Sequence, residues 1–110
     1  MTDTSIIPYN DPLMSYVASV DTWIDNTPNF ERKGLRITFT NGLTLSAVRG
    51  RGNYADDNTF EIAVISDVLP SGAVELVYIP QWGDTVCGYQ TIEQIRAFCW
   101  RLVSEGRFIP

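Results

Sequence analysis

Asn41-Gly42 constrains this chain more than any other pair of residues. Leu35-Arg-Ile-Thr-Phe39 alternates apolar with polar before it, and Leu43-Thr-Leu-Ser-Ala47 does the same after it. Asn-Gly between two such runs is a β-hairpin signal, because both residues accept the left-handed backbone that a tight hairpin needs. The side-chain pattern also fixes the register. A two-residue turn would set Phe39 against Thr44 and Ile37 against Ser46, splitting each apolar row between the two faces. A three-residue loop, Thr40-Asn41-Gly42 with Gly42 left-handed, pairs Phe39 with Leu43, Ile37 with Leu45 and Leu35 with Ala47. All six then share one face, and a slip of one residue would undo this. The three-residue loop is therefore expected.

Two further strands follow, Phe60-Glu-Ile-Ala-Val-Ile65 and Ala73-Val-Glu-Leu-Val-Tyr78, with Pro70-Ser71-Gly72 as turn chemistry between them. Short links between successive strands indicate an antiparallel meander rather than βαβ crossovers. Phe60, Ile62 and Val64 form one face, and Ala63 and Ile65 leave the other partly apolar, as in an inner strand covered on both sides. Toward the C-terminus, Thr91-Ile-Glu-Gln94 is a capping box. Ile92, Ile95, Cys99, Leu102 and Val103 then recur as one helical stripe, with Phe98 on its flank and Gly106 as a stop. Arg96 and Trp100, four apart, can stack beside that stripe. Near the N-terminus, Asp11-Pro12 reads as a helix start, and Leu13, Val17, Val20 and Ile24 follow at helical spacing. A helix over 12–24 is expected there, although Tyr16 to Trp23 is rich in strand formers and leaves a strand near 15–23 as the alternative.

The fold class expected is thus α+β. About four strands form an antiparallel meander over 35–80, a C-terminal helix over 91–105 packs on one face, and an acidic segment over 1–34 carries a short N-terminal helix. One domain suffices for 110 residues, which can hold a core without metal or disulfide staples. No run approaches the ~18 apolar residues of a membrane span, and Met1-Thr-Asp-Thr-Ser has no secretion signal, so a cytosolic setting is expected. Cys87 and Cys99 lack CxxC spacing and are expected as free, packed thiols.

Composition narrows the chemistry. The chain has no histidine, which removes the usual general base at neutral pH and every Ser-His or Cys-His nucleophile pair. Two cysteines without histidine fall short of a zinc site. Asp56, Asp57 and Glu61 do not have the spacing of a calcium loop. Neither a catalytic residue, a metal nor a cofactor is expected. The net charge of −5 resides in residues 1–31, where Asp3, Asp11, Asp21, Asp25 and Glu31 occur with no Lys or Arg, and the remainder balances at zero. Such a segment can steer the chain toward a basic partner surface, or serve only as a solvated acidic face. It argues against indiscriminate binding of nucleic acid.

Two groups of residues are candidates for binding. Asp21, Trp23 and Asp25 of the acidic segment, together with Trp82, Tyr89 and Trp100, have the composition of a protein-binding surface; the competing reading makes Trp82, Tyr89 and Trp100 wedges between helix and sheet. The loop Arg49-Gly-Arg-Gly-Asn-Tyr-Ala-Asp-Asp-Asn58 offers Arg49 and Arg51 for a phosphate and Tyr54 for stacking on a base. It lacks the lysine and following helix of a phosphate loop, and its aspartates oppose an anion, so a connector with internally paired charges is the stronger reading.

The hairpin Asn41-Gly-Leu-Thr-Leu-Ser-Ala-Val-Arg-Gly50, Gly52-Asn-Tyr54, Phe60-Glu-Ile-Ala-Val64, Asp84 to Gly88 and Thr91-Ile-Glu-Gln94 together resemble small accessory proteins of tailed bacteriophages. The resemblance spans about residues 35–103 and consists of structural motifs, so no catalytic residue comes with it. It implies a non-enzymatic bacteriophage protein in the host cytoplasm that binds and modulates or inhibits a host or phage protein complex, such as a defence or host-takeover target. A nucleic-acid-binding accessory protein using Arg49–Asn58, and a minor virion component, are the alternatives. A homodimer through an unpaired strand edge is compatible with the pattern, but no residue indicates it.

Overall fold

The computed structural model describes residues 11–27, 30–50 and 59–105. A 3-10 turn, Pro12–Tyr16, leads into strands β1 (Val17–Thr27), β2 (Phe30–Phe39), β3 (Thr44–Gly50), β4 (Phe60–Val68), β5 (Val74–Leu76) and β6 (Val86–Gln90), and helix α1 (Ile92–Glu105) closes the described chain. The strands form one antiparallel sheet in the order β1-β2-β3-β4-β5, with β6 also paired to β4. The α+β class, the meander and the C-terminal helix are as the sequence predicts.

The hairpin register is the expected one. Ile37 pairs with Leu45 and Leu35 with Ala47, Phe39 N–H donates to the Leu43 carbonyl at 2.9 Å, and Gly42 is left-handed at φ 92°. Asn41 has a second task. Its Oδ1 accepts from Leu43 N–H at 3.1 Å, which shapes the loop, while its Nδ2 donates to the Leu102 carbonyl at 3.0 Å. That carbonyl lies in the last turn of α1, where helical carbonyls lack an intrahelical donor. The loop that fixes the sheet register thereby also fixes one end of the helix.

Leu35, Ile37, Phe39, Leu45, Ala47, Ile62 and Val64 face α1 and share a core with its Ile95, Phe98, Cys99 and Leu102. Ile92 and Val103 pack partly buried against it, completing the expected stripe. The capping box forms in both directions: Thr91 N–H donates to Gln94 Oε1 at 2.8 Å and Gln94 N–H to Thr91 Oγ1 at 3.2 Å. On the opposite face Ala63 and Ile65 are also buried, so β4 is covered on both sides.

Three elements differ from expectation. The helix predicted over 12–24 is confined to the 3-10 turn; Asp11 caps it as expected, donated to by Leu13 N–H at 2.8 Å, but Val17 onward is strand. The spacing of Val20 and Ile24 fits a strand face as well as a helix stripe, and the free edge of β2 tips the balance by offering a ladder to a run rich in β-branched and aromatic residues. The sheet therefore begins at Val17, inside the segment assigned to the acidic leader. Next, the strand predicted over 73–78 is cut to three residues, because the chain turns away to bury Val77 and Ile79 in the core. This leaves half of the β4 edge open, and β6, which was not predicted, fills it. β5 and β6 run in the same direction along that edge and amount to one strand interrupted by a loop. The loop is closed by an Ile79–Asp84 bridge and a left-handed Gly83.

Finally, Arg96 and Trp100 both reach the N-terminal turn. Arg96 pairs with Asp11, and Trp100 meets Tyr16 edge-on with ring centroids 5.9 Å apart. With Leu13 fully buried and Thr40 N–H bonded to the Tyr16 carbonyl at 2.9 Å, the turn is anchored to helix and hairpin together.

Candidate functional site

β1 is the outermost strand on one side of the sheet, and among the described residues no strand pairs with its outer edge. Side chains alternate along a strand, so β1 presents two rows. Val20 and Ile24 lie in the row on the α1 side, since Val20 pairs with the core residue Ile37. They remain 41% and 68% exposed because α1 covers β2 to β4 and stops short of β1. Ser19, Asp21 and Trp23 occupy the other row, on the face away from the helix. Asp25 holds the next position of that alternation, opposite Arg32, as Asp21 is opposite Arg36.

Trp23 is seated by its cross-strand partner, Gly34. A Cβ on Gly34 would come within 2.7 Å of the indole Cζ2 and 2.8 Å of the Ala47 carbonyl oxygen. The ring thus lies directly over the glycine backbone, in the manner by which an aromatic residue compensates for a strand glycine. This holds Trp23 half-buried while its neighbours Asp21 and Ile24 remain exposed. Three residues named from the sequence, Asp21, Trp23 and Asp25, consequently fall at consecutive alternate positions of one edge strand. Helical spacing, the reading adopted for this stretch from the sequence, would have dispersed them.

The other aromatic candidates do not join this row or form one patch among themselves. Trp82 packs against Phe98 with ring centroids 5.0 Å apart and lies partly buried on the core, so it serves as the wedge. Trp100 lies two residues beyond Phe98, about 200° around a helix of 3.6 residues per turn, and its ring meets Tyr16. Tyr89 stands apart from both. It is 57% exposed and left-handed at φ 54°, in the irregular pairing of β6 with β4 between Phe60 and Ile62. A bulky residue held there is strained, and such strain gathers at working surfaces.

Of the phosphate-loop candidates, Arg49 lies at the end of β3. Its guanidinium sits 4.1 Å from the centroid of the Phe60 ring and its Nε donates to the Thr59 carbonyl at 3.2 Å. These internal contacts give it a structural role at the mouth of the loop. Arg51, Tyr54, Asp56 and Asp57 lie outside the described residues. Among the described residues no group of three or more Cys, Asp or Glu could hold a metal ion, and no helix is long and apolar enough to cross a membrane. Both thiols are free. Burial pushes Cys99 up to about 12 and raises Cys87 as well.

The chain matches no family model, no curated protein and no solved structure.

Proposed function

We propose that this chain is a non-enzymatic binding protein of bacteriophage type, which engages a host macromolecular complex in the host cytoplasm and modulates it by occupying a surface. The alternate positions of Asp21, Trp23 and Asp25 on β1, whose outer edge pairs with no strand among the described residues, carry this reading. It sets the exposed Asp21 and the half-buried Trp23 ring beside backbone groups that pair with no strand among the described residues, the chemistry of a protein-binding edge. The bacteriophage setting and the choice of a defence or takeover complex as target rest on the motif resemblance over residues 35–103. The missing histidine supports action by occupancy rather than chemistry.

The test is affinity capture from host lysate on the immobilised chain, with and without nuclease, followed by assay of whatever complex is retained. One host complex kept after nuclease and altered in activity by the added chain is the expected result. Retention that disappears with nuclease would transfer the function to nucleic acid and the Arg49–Asn58 loop. A column that retains nothing would refute partner binding in that host.

A further inference from the structure

Asn41-Gly42 carries a chemistry that neither the hairpin nor partner binding uses. Of the six asparagines in the chain, Asn41 alone precedes a glycine. A backbone nitrogen can attack the side-chain amide carbon of the asparagine before it. Glycine permits this most readily, because it has no Cβ to crowd the approach and the freest backbone rotation. Asn41 is exposed, so the water that such a reaction consumes can reach it.

In the native loop the reacting groups are each held. Asn41 Oδ1 accepts from Leu43 N–H at 3.1 Å, and Nδ2 donates to the Leu102 carbonyl at 3.0 Å. Gly42 N–H, which would supply the nucleophile, donates to the Phe39 carbonyl at 3.0 Å. Swinging the amide carbon onto Gly42 N breaks both side-chain bonds, and removing the proton from that nitrogen breaks the third.

We infer that Asn41 is a deamidation site gated by the hydrogen bonds between hairpin and helix: closed, they protect it, and their opening commits it to a product that cannot re-form them. The step balances with water as the only co-reactant. Gly42 N bonds to Asn41 Cγ, the Cγ–Nδ2 bond breaks, and Nδ2 leaves as ammonia with the proton from Gly42 N. Water then opens the cyclic imide. Cleavage at Cγ leaves aspartate, and cleavage at the main-chain carbonyl of residue 41 leaves isoaspartate. One water is consumed, one ammonia is released and one carboxylate is gained.

Both products lose the donor to Leu102. Aspartate keeps an acceptor for Leu43 N–H but sets a carboxylate against the Leu102 carbonyl, at the negative end of α1. In isoaspartate the main chain runs through the former side chain and gains one atom between residues 41 and 42. A three-residue loop with Gly42 left-handed at φ 92° and Phe39 N–H bonded to the Leu43 carbonyl at 2.9 Å has no slack for that atom. The hairpin loop and the end of α1 are therefore loosened together, and the departed ammonia makes the change one-way.

The test incubates the full chain, native and in urea, beside an end-blocked peptide spanning Phe39–Leu43 in the same mildly alkaline buffer. Digestion and mass spectrometry locate each amide-to-acid change and time it. In urea the first change should fall at Asn41, at the peptide's rate. The native chain should be slower on the order of thirty-fold, the factor that two net hydrogen bonds supply. Gly42→Ala should lose most of the reaction in urea, where the strain of a left-handed alanine plays no part. Asn41→Asp, standing for the product, should lower Tm by ~4–8 °C and speed hydrogen exchange in the last turn of α1. Should that variant not fold, Asn41→Ser, which keeps an oxygen for Leu43 N–H and adds no charge, reads the same loss. A native chain modified as fast as the peptide overturns the gate, and a first change at another asparagine overturns the site. Variants at Asn41 with the parent's Tm and helix-end exchange overturn the claim that modification loosens the fold.

Discussion

Gly34→Ala tests the seat of Trp23 and with it the geometry of the β1 edge. The added methyl would lie 2.7 Å from the indole Cζ2, 2.9 Å from Cε2 and 2.8 Å from the Ala47 carbonyl oxygen. Restoring ordinary contact at about 3.4 Å requires the indole to move by roughly 0.7 Å and the β3 backbone by roughly 0.6 Å. Overpacking of this kind costs about 1–3 kcal/mol. Replacing glycine also restricts the unfolded chain, which returns about 0.4–1 kcal/mol. The net expectation is a loss of about 1–2 kcal/mol, or ~4–8 °C in Tm for a domain of this size. Urea unfolding should show a lower midpoint with an unchanged slope. The indole and the carbonyl are separable by a double-mutant cycle with Trp23→Ala. Removing the ring abolishes two of the three contacts, so Gly34→Ala should cost less in that background, with the Ala47 oxygen accounting for what remains. A Gly34→Ala protein as stable as the parent would refute the close approach. An identical cost with and without Trp23 would show that the ring does not sit on the glycine.

Three further outcomes follow from individual residues. Asp11 is held below its ordinary value of 3.8, chiefly by the Leu13 N–H, with desolvation opposing and Arg96 adding to the lowering. Its contribution to stability is thus present above the unfolded value and is lost as pH falls through the folded one. The Tm deficit of Asp11→Asn should be largest near neutrality and shrink below about pH 4; a deficit independent of pH would contradict this. Cys99, pushed up to about 12 in the core, should react with a thiol reagent near pH 8 only when the domain unfolds, while the half-buried Cys87 reacts sooner; equal native rates would place Cys99 outside the core. Tyr89→Gly should raise stability by about 0.5–1 kcal/mol, because relief of a left-handed backbone worth ~1–2 kcal/mol outweighs the glycine entropy. Destabilisation instead would mean that the exposed ring contributes packing.

The parts of this protein that rest on local chemistry are legible in the chain. Asn41-Gly42 and the alternation around it fixed both a loop and a register, since only one offset keeps six apolar side chains on one face. Thr91 and Gln94 fixed where α1 begins, because both halves of the capping box lie within four residues. The apolar stripe fixed which face of α1 is buried.

What depends on partners distant along the chain emerges only when the elements pack. Residues 17–27 have the strand propensity of β1 and also a helical spacing of apolar residues; the open edge of β2 selected the strand. β6 exists because β5 leaves β4 half unpaired, which no feature of Val-Cys-Gly-Tyr-Gln declares. Arg96 found Asp11, and Asn41 found the end of α1, across separations of 85 and 61 residues. The candidate site followed the same division. Asp21, Trp23 and Asp25 could be named from their chemistry, but only their conversion from a helix turn to an edge strand placed them in one row. A backbone edge is free or occupied according to where the rest of the sheet ends, and local sequence has no means of recording that.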